Sequence, residues 1–176
     1  IGVGRIATIS GRYYLMDRDK RWERLVLAYN ALTSGIGAQA ADPVQAVADA
    51  YQRGETDEFV KPIIINNTRR IQDNDAVIFF NFRADRAREI TRALTDSPRC
   101  ESGRPVSPQG IGTQFSEFKR EVFPKVFYVT MTMYDEKLTL PIAFKPMVKK
   151  NILSEVLSLN NIKQLRIAET EKYAHV

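Results

Sequence analysis

The chain has 176 residues, 44% of them hydrophobic and 27% charged, a composition typical of a globular protein and not of a disordered one. Its single cysteine, Cys100, excludes a disulfide framework, and no apolar run approaches the roughly 20 residues that a membrane span needs. The formal net charge of +5 favours an anionic partner such as a nucleic acid, a membrane surface or a small phosphate, without choosing among them.

The first third of the chain is predicted to alternate short strands with helices. A weak alternation of apolar residues predicts a strand over 5–9, and apolar residues at helical spacing predict a helix over 21–33. A second helix is predicted to begin after Asp42, a typical N-cap residue, with Pro43 in its first position. Gly54 is a typical stop signal for that helix.

The rest of the chain continues the same alternation. The stretches "KPIIINN" and "DAVIFFNF" predict two buried strands, and the second runs directly into a predicted helix, "RADRAREITRAL". A long surface loop rich in Pro, Gly and Ser is predicted over 96–119. After it, "KVFYVTMTMYD", "VKKNILSEVLSLNN" and "KQLRIAET" read as strand, helix and strand. Such a βαβ unit predicts an α/β fold with a parallel sheet.

Charged side chains crowd the segment 17–24. Four positive and three negative residues leave a local net charge of only +1 over these eight positions. One interpretation is a solvated helix start held by local ion pairs, each worth about 0.3–0.5 kcal/mol. The other is that Arg12 and Arg18 turn inward to hold an anion while acids such as Asp17 orient them. Arginine suits that role because it presents planar, paired donors to phosphate or carboxylate.

A second group of cations follows a predicted strand. The strand is predicted to end at Phe82, and Arg83 and Arg86 then stand where a helix is expected to begin. Ligands of open α/β sheets bind beyond the carboxyl ends of strands, and helix N-termini favour anions. Residues three apart share a helix face, so both arginines can reach one ligand. The alternative is a surface ion-pair network with Asp85.

The C-terminal stretch "AETEKYAHV" brings Glu169, Glu171 and Lys172 close together in the sequence. The lysine can act as a point charge that binds phosphate, or it can belong to an ion pair at a strand end. His175 is the only histidine and has no partner nearby in the sequence, so a metal site of several His and Asp ligands is not predicted. No GxxxxGK or GxGxxG motif is present.

Three long stretches together resemble the cofactor-independent phosphoglycerate mutases, which are members of the alkaline phosphatase superfamily. The stretches are "ATISGRYYLMDRDKRWER", "NFRADRARE" and "QLRIAETEKYAHV", which are similar to family motifs and occur in the same order. The resemblance covers most of the chain except 38–65 and 96–118. It implies an enzyme that interconverts 3-phosphoglycerate and 2-phosphoglycerate in glycolysis and gluconeogenesis. It also implies a phosphoserine intermediate and two divalent metal ions, commonly Mn²⁺.

The resemblance assigns roles to particular residues. It implies that four arginines grip the glycerate moiety and that Lys172 lies near the phosphoryl group; the arginines are Arg12, Arg18, Arg83 and Arg86. The serine nucleophile and the metal ligands of the family lie in segments that this chain does not contain, and Ser10 is not in the nucleophile segment. The chain by itself is therefore expected to bind no metal and to be inactive.

The same resemblance implies a domain organisation. Residues 1–125 are expected to be the later half of an inserted α/β phosphotransferase domain that grips the substrate. Residues 126–176 are expected to be a linker and a βαβ piece of the alkaline-phosphatase-like metal domain. The chain begins without Met and reads as an internal fragment. The full-length enzyme is expected to be a cytoplasmic monomer whose partner is its small-molecule substrate, with no nucleic acid and no membrane.

A protein of another class stays open from the residues alone, namely a basic nucleic-acid-binding α/β module. Arg12 lies beside Tyr13 and Tyr14, and Arg69 is followed by Arg70. Tyrosines can stack on bases and arginines can hold phosphates. The interleaved acids and the lack of an RNA-binding signature argue against this alternative. A structural α/β domain without a site is a third possibility.

Overall fold

The computed structural model describes residues 3–96, 118, 120–147 and 149–168. Strands and helices alternate along this part of the chain, which confirms the mixed α/β class. In chain order the elements are β1 (Thr8–Ile9), α1 (Arg12–Leu15), α2 (Trp22–Thr33), β2 (Ala38–Ala40), α3 (Pro43–Gln52), β3 (Ile63–Ile65), β4 (Ala76–Phe79), α4 (Arg88–Thr95), β5 (Phe127–Thr130) and α5 (Leu153–Leu159). Within the described ranges, no helix is long and apolar enough to cross a membrane.

The chain divides into two compact units, Ile1–Ala143 and Phe144–Val176. The first unit contains strands β1–β5 and helices α1–α4, and the second contains α5. The division predicted above, 1–125 and 126–176, concerns the domains of a longer protein and stays a prediction.

Strand β3 is the centre of a three-stranded sheet with the order β1-β3-β2. It pairs antiparallel with β1, where Thr8 faces Ile64, and parallel with β2, where Gln39 also faces Ile64. All three isoleucines of β3 are buried, as the apolar run in "KPIIINN" predicts. β-branched side chains suit such a position because they pack well on a pleated surface.

Helix α3 begins and ends where its sequence signals predict. The Asp42 carboxylate accepts a hydrogen bond from the backbone N–H of Gln45 at 2.8 Å, and Pro43 occupies the first helical position. Gly54 follows the helix with a φ of +79°, a left-handed conformation that glycine adopts without strain. The helix buries Ala46 and Ala50 against the cluster that contains β3.

We expect the substitution Asp42→Ala to lower the free energy of unfolding of the chain by about 1 kcal/mol, because it removes the N-cap acceptor of α3. Urea unfolding followed by circular dichroism measures this. Asp42→Asn keeps a capping oxygen and is the matched control, so it should lie within a few tenths of a kcal/mol of the wild type. Equal stability of the alanine and asparagine variants would contradict the cap.

A second sheet consists of β4 and β5, which pair in parallel from Ala76 opposite Phe127 to Phe79 opposite Thr130. Helix α4 lies between them in the chain, so the three elements form a βαβ unit. This confirms parallel pairing, although the unit is not the one predicted near the C-terminus. The main core joins α2, α4 and β5; its buried members are Trp22, Leu25, Tyr29, Ile90, Ala93, Leu94, Phe118 and Tyr128.

Two predictions around β4 are wrong. The strand was expected to be buried on both faces, but its side chains alternate, and Ile78 is 65% exposed. The alternation arises because the core covers only one face of the strand among the described residues. Helix α4 was expected to begin near Arg83, but it begins at Arg88. The residues before it form turns instead, with the N–H of Ala87 bonded to the carbonyl of Ala84 at 3.1 Å.

The predicted final strand is also wrong over its described part. Residues 163–168 form no regular element, and Leu165 and Ile167 are more than 80% exposed. A strand exists only where a neighbouring strand accepts its backbone hydrogen bonds, and none of the described residues provides one beside this segment. The predicted surface loop over 96–119 lies mostly outside the described residues.

Candidate functional site

Three of the predicted arginines come together in the first unit. Arg18 Nη1 donates to Asp85 Oδ2 at 3.2 Å, and Arg83 Nη2 donates to the same oxygen at 3.0 Å. Arg86 Nη1 donates to the carbonyl of Met16 at 3.0 Å, beside the loop that carries Arg18. We call Arg18, Arg83 and Arg86 the arginine cluster. It joins two segments that are far apart in the sequence, since Arg18 and Asp85 are separated by 67 positions.

The loop that carries Arg18 is folded by Asp17. The Asp17 carboxylate is buried, and its Oδ2 accepts from the backbone N–H groups of Asp19 at 2.9 Å and Arg21 at 2.8 Å. Its Oδ1 lies 3.8 Å from Arg24 Nη1. Aspartate favours such local turns because its short side chain reaches the backbone two residues on. Asp17 was predicted to orient the arginines, but it holds the backbone of the loop, and Asp85 contacts the guanidinium groups.

Arg83 and Arg86 lie between β4 and α4, and Arg86 is in the turn that precedes the helix. Asn81 shapes this segment, because its side-chain amide donates to the Arg83 carbonyl at 3.1 Å and its amide oxygen accepts from the Arg83 N–H at 3.3 Å. The two arginines therefore do not share a helix face, which corrects the geometry predicted from their spacing. Their position beyond the end of a parallel strand agrees with the place where α/β folds bind ligands.

The cluster retains an excess of positive charge. The side chain of Asp85 is only 5% exposed. Burial raises its pKa, but the charge of Arg83, the backbone N–H of Arg86 and the contacts of Arg18 together hold the pKa below its ordinary value. Asp85 is therefore ionised at neutral pH, and the guanidinium groups of Arg18 and Arg83 share its single carboxylate. Arg83 is 72% exposed and Arg18 is 39% exposed, so both remain accessible to a small anion from solvent.

Arg12 is not joined to this cluster. Its Nη2 donates to Glu58 Oε2 at 2.8 Å, and the side chain is half exposed. The preceding residue, Gly11, packs against the same segment, because its N–H donates to the Val60 carbonyl at 2.8 Å. A Cβ atom on Gly11 would lie 2.3 Å from the Glu58 carbonyl oxygen, so only glycine fits this approach. The structure thus holds Arg12 beside Glu58.

A buried carboxyl that the sequence did not single out supports the same loop. Glu89 lies in the first turn of α4, and its Oε1 accepts from the backbone N–H of Lys20 at 2.9 Å. Its Oε2 is buried without a hydrogen-bond partner among the described residues. Burial raises the pKa of Glu89 to about 7, and the nearby carboxylates of Asp17 and Asp19 add to this, against the effect of the Lys20 N–H.

The sequence spacing of Asp85 and Glu89 draws attention to both acids but does not predict their separate contacts. Asp85 and Glu89 stand four residues apart inside the arginine-rich stretch "NFRADRARE". That spacing brings residues to one face only if the segment is helical. Asp85 instead lies in the turn before Arg88, and its side chain contacts the arginine cluster. Glu89 lies in the helix and accepts a hydrogen bond from the backbone N–H of Lys20. Their separate roles therefore depend on where the helix begins.

The other residues that the sequence singled out are Lys172, His175 and Ser10. Lys172 and His175 lie outside the described residues. The Ser10 hydroxyl donates to the carbonyl of Gly11 at 3.3 Å. Across the described ranges, no group of three or more His, Cys, Asp or Glu side chains is placed to hold a metal ion. The described residues therefore do not fit a divalent metal site.

The features that suggested nucleic-acid binding take part in local contacts. The Tyr13 ring packs against Tyr14 with ring centroids 5.2 Å apart, and the Arg24 guanidinium lies 3.9 Å from the Tyr13 centroid. Arg69 Nη2 pairs with Asp75 at 3.2 Å, and Arg70 Nη1 donates to the Thr68 carbonyl at 3.1 Å. These local contacts account for both groups without a nucleic acid, so the geometry does not favour this alternative.

The fold and the cluster define an α/β protein that presents arginines beyond the end of a parallel strand. The family described as "BPG-independent PGAM N-terminus (iPGM_N)" matches residues 1–136. The chain belongs to this family, as the resemblance of its motifs to the cofactor-independent mutases implies.

The chain is similar in sequence to named relatives along its whole length. It is 53% identical to 2,3-bisphosphoglycerate-independent phosphoglycerate mutase 1 of Methanosarcina barkeri, over 99% of this chain and 32% of that protein. It is 52% identical to the 2,3-bisphosphoglycerate-independent phosphoglycerate mutase of Methanococcoides burtonii, over 100% of this chain and 32% of that protein. The chain thus spans about a third of the length of these relatives.

A solved structure is similar as well. The fold superposes with a TM-score of 0.64 and 25% identity on a crystal structure of Leishmania mexicana phosphoglycerate mutase, obtained at low cobalt concentration. The match covers 89% of this chain and 28% of that one.

Proposed function

We propose that the full-length protein containing this chain is a 2,3-bisphosphoglycerate-independent phosphoglycerate mutase. It interconverts 3-phosphoglycerate and 2-phosphoglycerate in glycolysis and gluconeogenesis through a phosphoserine intermediate. The observation that carries this proposal is identity of about half of all positions, along the whole chain, to relatives that bear this name. The arginine cluster supports it, because both substrates are small anions with a carboxylate and a phosphate.

In this proposal the chain supplies substrate contacts. Arg18, Arg83 and Arg86 bind the anionic groups of phosphoglycerate, since guanidinium groups form charge-assisted hydrogen bonds with carboxylate and phosphate. Arg12 exchanges its contact with Glu58 for one with substrate, and Lys172 lies near the phosphoryl group. Such cations favour phosphoryl transfer because they stabilise the negative charge on the phosphoryl oxygens and position the group.

The reacting machinery belongs elsewhere in the full-length protein. No described cluster of side chains fits a divalent ion. Because the sequence lacks the family segments that carry them, we place the ligands of the two divalent ions, expected to be Mn²⁺, and the serine nucleophile outside this chain. Such a division is possible because binding groups and reacting groups need only converge on the bound substrate.

The proposal includes an organisation for the longer protein. Residues 1–125 form the later half of an inserted phosphotransferase domain, and residues 126–176 form a linker and a βαβ piece of an alkaline-phosphatase-like domain. The full-length protein is a cytoplasmic monomer whose partner is its small-molecule substrate. Support comes from family membership over residues 1–136 and from the short share of each relative that the chain spans.

We expect the isolated 176-residue chain to show no mutase turnover, while the full-length protein turns over 3-phosphoglycerate with Mn²⁺. Arginines orient an anion, but they do not replace an activated nucleophile. A coupled assay of 2-phosphoglycerate formation on both purified proteins measures this, with heat-treated protein as the blank. Turnover by the isolated chain would refute the placement of the nucleophile, and an inactive full-length protein would refute the function.

A further inference from the structure

A single buried oxygen joins two arginines of the cluster. Asp85 Oδ2 accepts from Arg18 Nη1 at 3.2 Å and from Arg83 Nη2 at 3.0 Å, while the Asp85 side chain is 5% exposed. The two donors come from segments on opposite sides of β2, α3 and β3 in the chain. Because both nitrogen atoms meet one oxygen, the two guanidinium groups lie within reach of the same small ligand.

Resting on the proposed function, we propose that Asp85 is a positioning residue. Its carboxylate holds Arg18 and Arg83 at one separation and in one orientation, so that their other N–H donors face a single phosphoglycerate molecule. Asp85 itself does not touch the substrate.

Electrostatics explain why such a residue is needed. Two guanidinium groups that converge on one site repel each other when no anion is bound, and their long side chains have many rotamers. A buried carboxylate between them offsets the repulsion and restricts the rotamers before substrate arrives. Two guanidinium groups share the single negative charge of Asp85, so the group keeps a net positive charge that still attracts an anion.

The surrounding contacts restrict the same arginine further. Glu89 Oε1 holds the backbone N–H of Lys20 at 2.9 Å, and Asp17 holds the N–H of Asp19 at 2.9 Å. The loop backbone on the C-terminal side of Arg18 is thus anchored independently of Asp85. Loss of the Asp85 carboxylate therefore changes the direction of the Arg18 side chain while the loop remains folded, and this makes the role testable.

The test uses Asp85→Asn in the full-length protein with Mn²⁺, alone and combined with Arg18→Ala. We expect kcat/KM for 3-phosphoglycerate to fall about ten- to a hundredfold in D85N, because a small misplacement of binding groups has effects of that size. In the R18A background, D85N should lower kcat/KM by a smaller factor than it does alone, because only Arg83 is then left for Asp85 to position. Asp85→Glu, which keeps the charge, should recover part of the loss.

Asp75→Asn is the matched control, because Asp75 forms an Asp–Arg pair of the same 3.2 Å length with Arg69 outside the cluster. It should leave kcat/KM within about twofold of the wild type. A wild-type kcat/KM in D85N with only a lowered melting temperature would overturn the positioning role. Full additivity of D85N and R18A, or D85E no better than D85N, would overturn it too.

Calorimetric binding of 3-phosphoglycerate to the same variants separates the two proposals. If the wild type binds without turnover, and binding weakens in D85N in the same non-additive way, the proposed function fails while the positioning role stands. If turnover is normal and D85N matches the wild type in both assays, only the positioning role fails. A wild type that neither binds nor turns over 3-phosphoglycerate refutes both.

Discussion

Replacing Arg18 by alanine in the full-length protein is expected to lower kcat/KM for 3-phosphoglycerate by about a hundredfold. A hydrogen bond to a charged group is worth about 1.5–3 kcal/mol, and each 1.4 kcal/mol corresponds to a factor of ten. The substitution also leaves the buried Asp85 carboxylate with one guanidinium contact fewer. Steady-state kinetics with 3-phosphoglycerate and Mn²⁺ measure the loss.

Two further variants make this prediction specific. Arg18→Lys keeps the charge but not the planar pair of donors, so its activity should fall between those of R18A and the wild type. Arg69→Ala removes an arginine that pairs with Asp75 outside the cluster and should leave kcat/KM within about twofold of the wild type. If R18A and R69A had the same small effect, Arg18 would have no part in substrate binding.

Glu89 is expected to make the stability of the chain fall as pH rises from about 4.5 to about 7. The pKa of Glu89 is raised from 4.5 to about 7 in the folded state, mainly by burial. Between these values the folded state binds more protons than the unfolded state, so the free energy of unfolding decreases with increasing pH. The stability that protonated Glu89 contributes is fully present below pH 4.5 and is lost by about pH 7. The free energy of unfolding falls by about 3 kcal/mol over this range.

The variant Glu89→Gln isolates this contribution. Glutamine keeps an oxygen for the Lys20 N–H, cannot ionise, and adds an N–H that can donate to the nearby Asp17 carboxylate. At pH 8 the variant should be about 3 kcal/mol more stable than the wild type, and at pH 4.5 the difference should be close to zero. Urea unfolding of the chain at a series of pH values measures both differences.

Glu136→Gln is the control for the pH series, because Glu136 is exposed and lies in a turn. Its difference from the wild type should stay within about 0.5 kcal/mol at every pH. A constant difference between E89Q and the wild type across the series would mean that Glu89 ionises in the folded state as it does in the unfolded one.

The sequence alone predicted the features that depend on neighbouring residues. The start and stop of α3 follow from Asp42, Pro43 and Gly54, because capping and turn preferences act within a few positions. The burial of β3 follows from its run of isoleucines. Family membership was recognised in the same way, since three long motifs can be read without knowing where their side chains point.

Only the tertiary structure decided which side chains meet. Arg18 and Asp85 are 67 positions apart, and no local rule relates them. Burial of Glu89, the exposed face of β4 and the lack of a strand over 163–168 likewise depend on what packs beside each segment. The physical reason is that capping and periodicity are short-range, whereas burial, ion pairing and strand pairing require a partner from elsewhere in the fold.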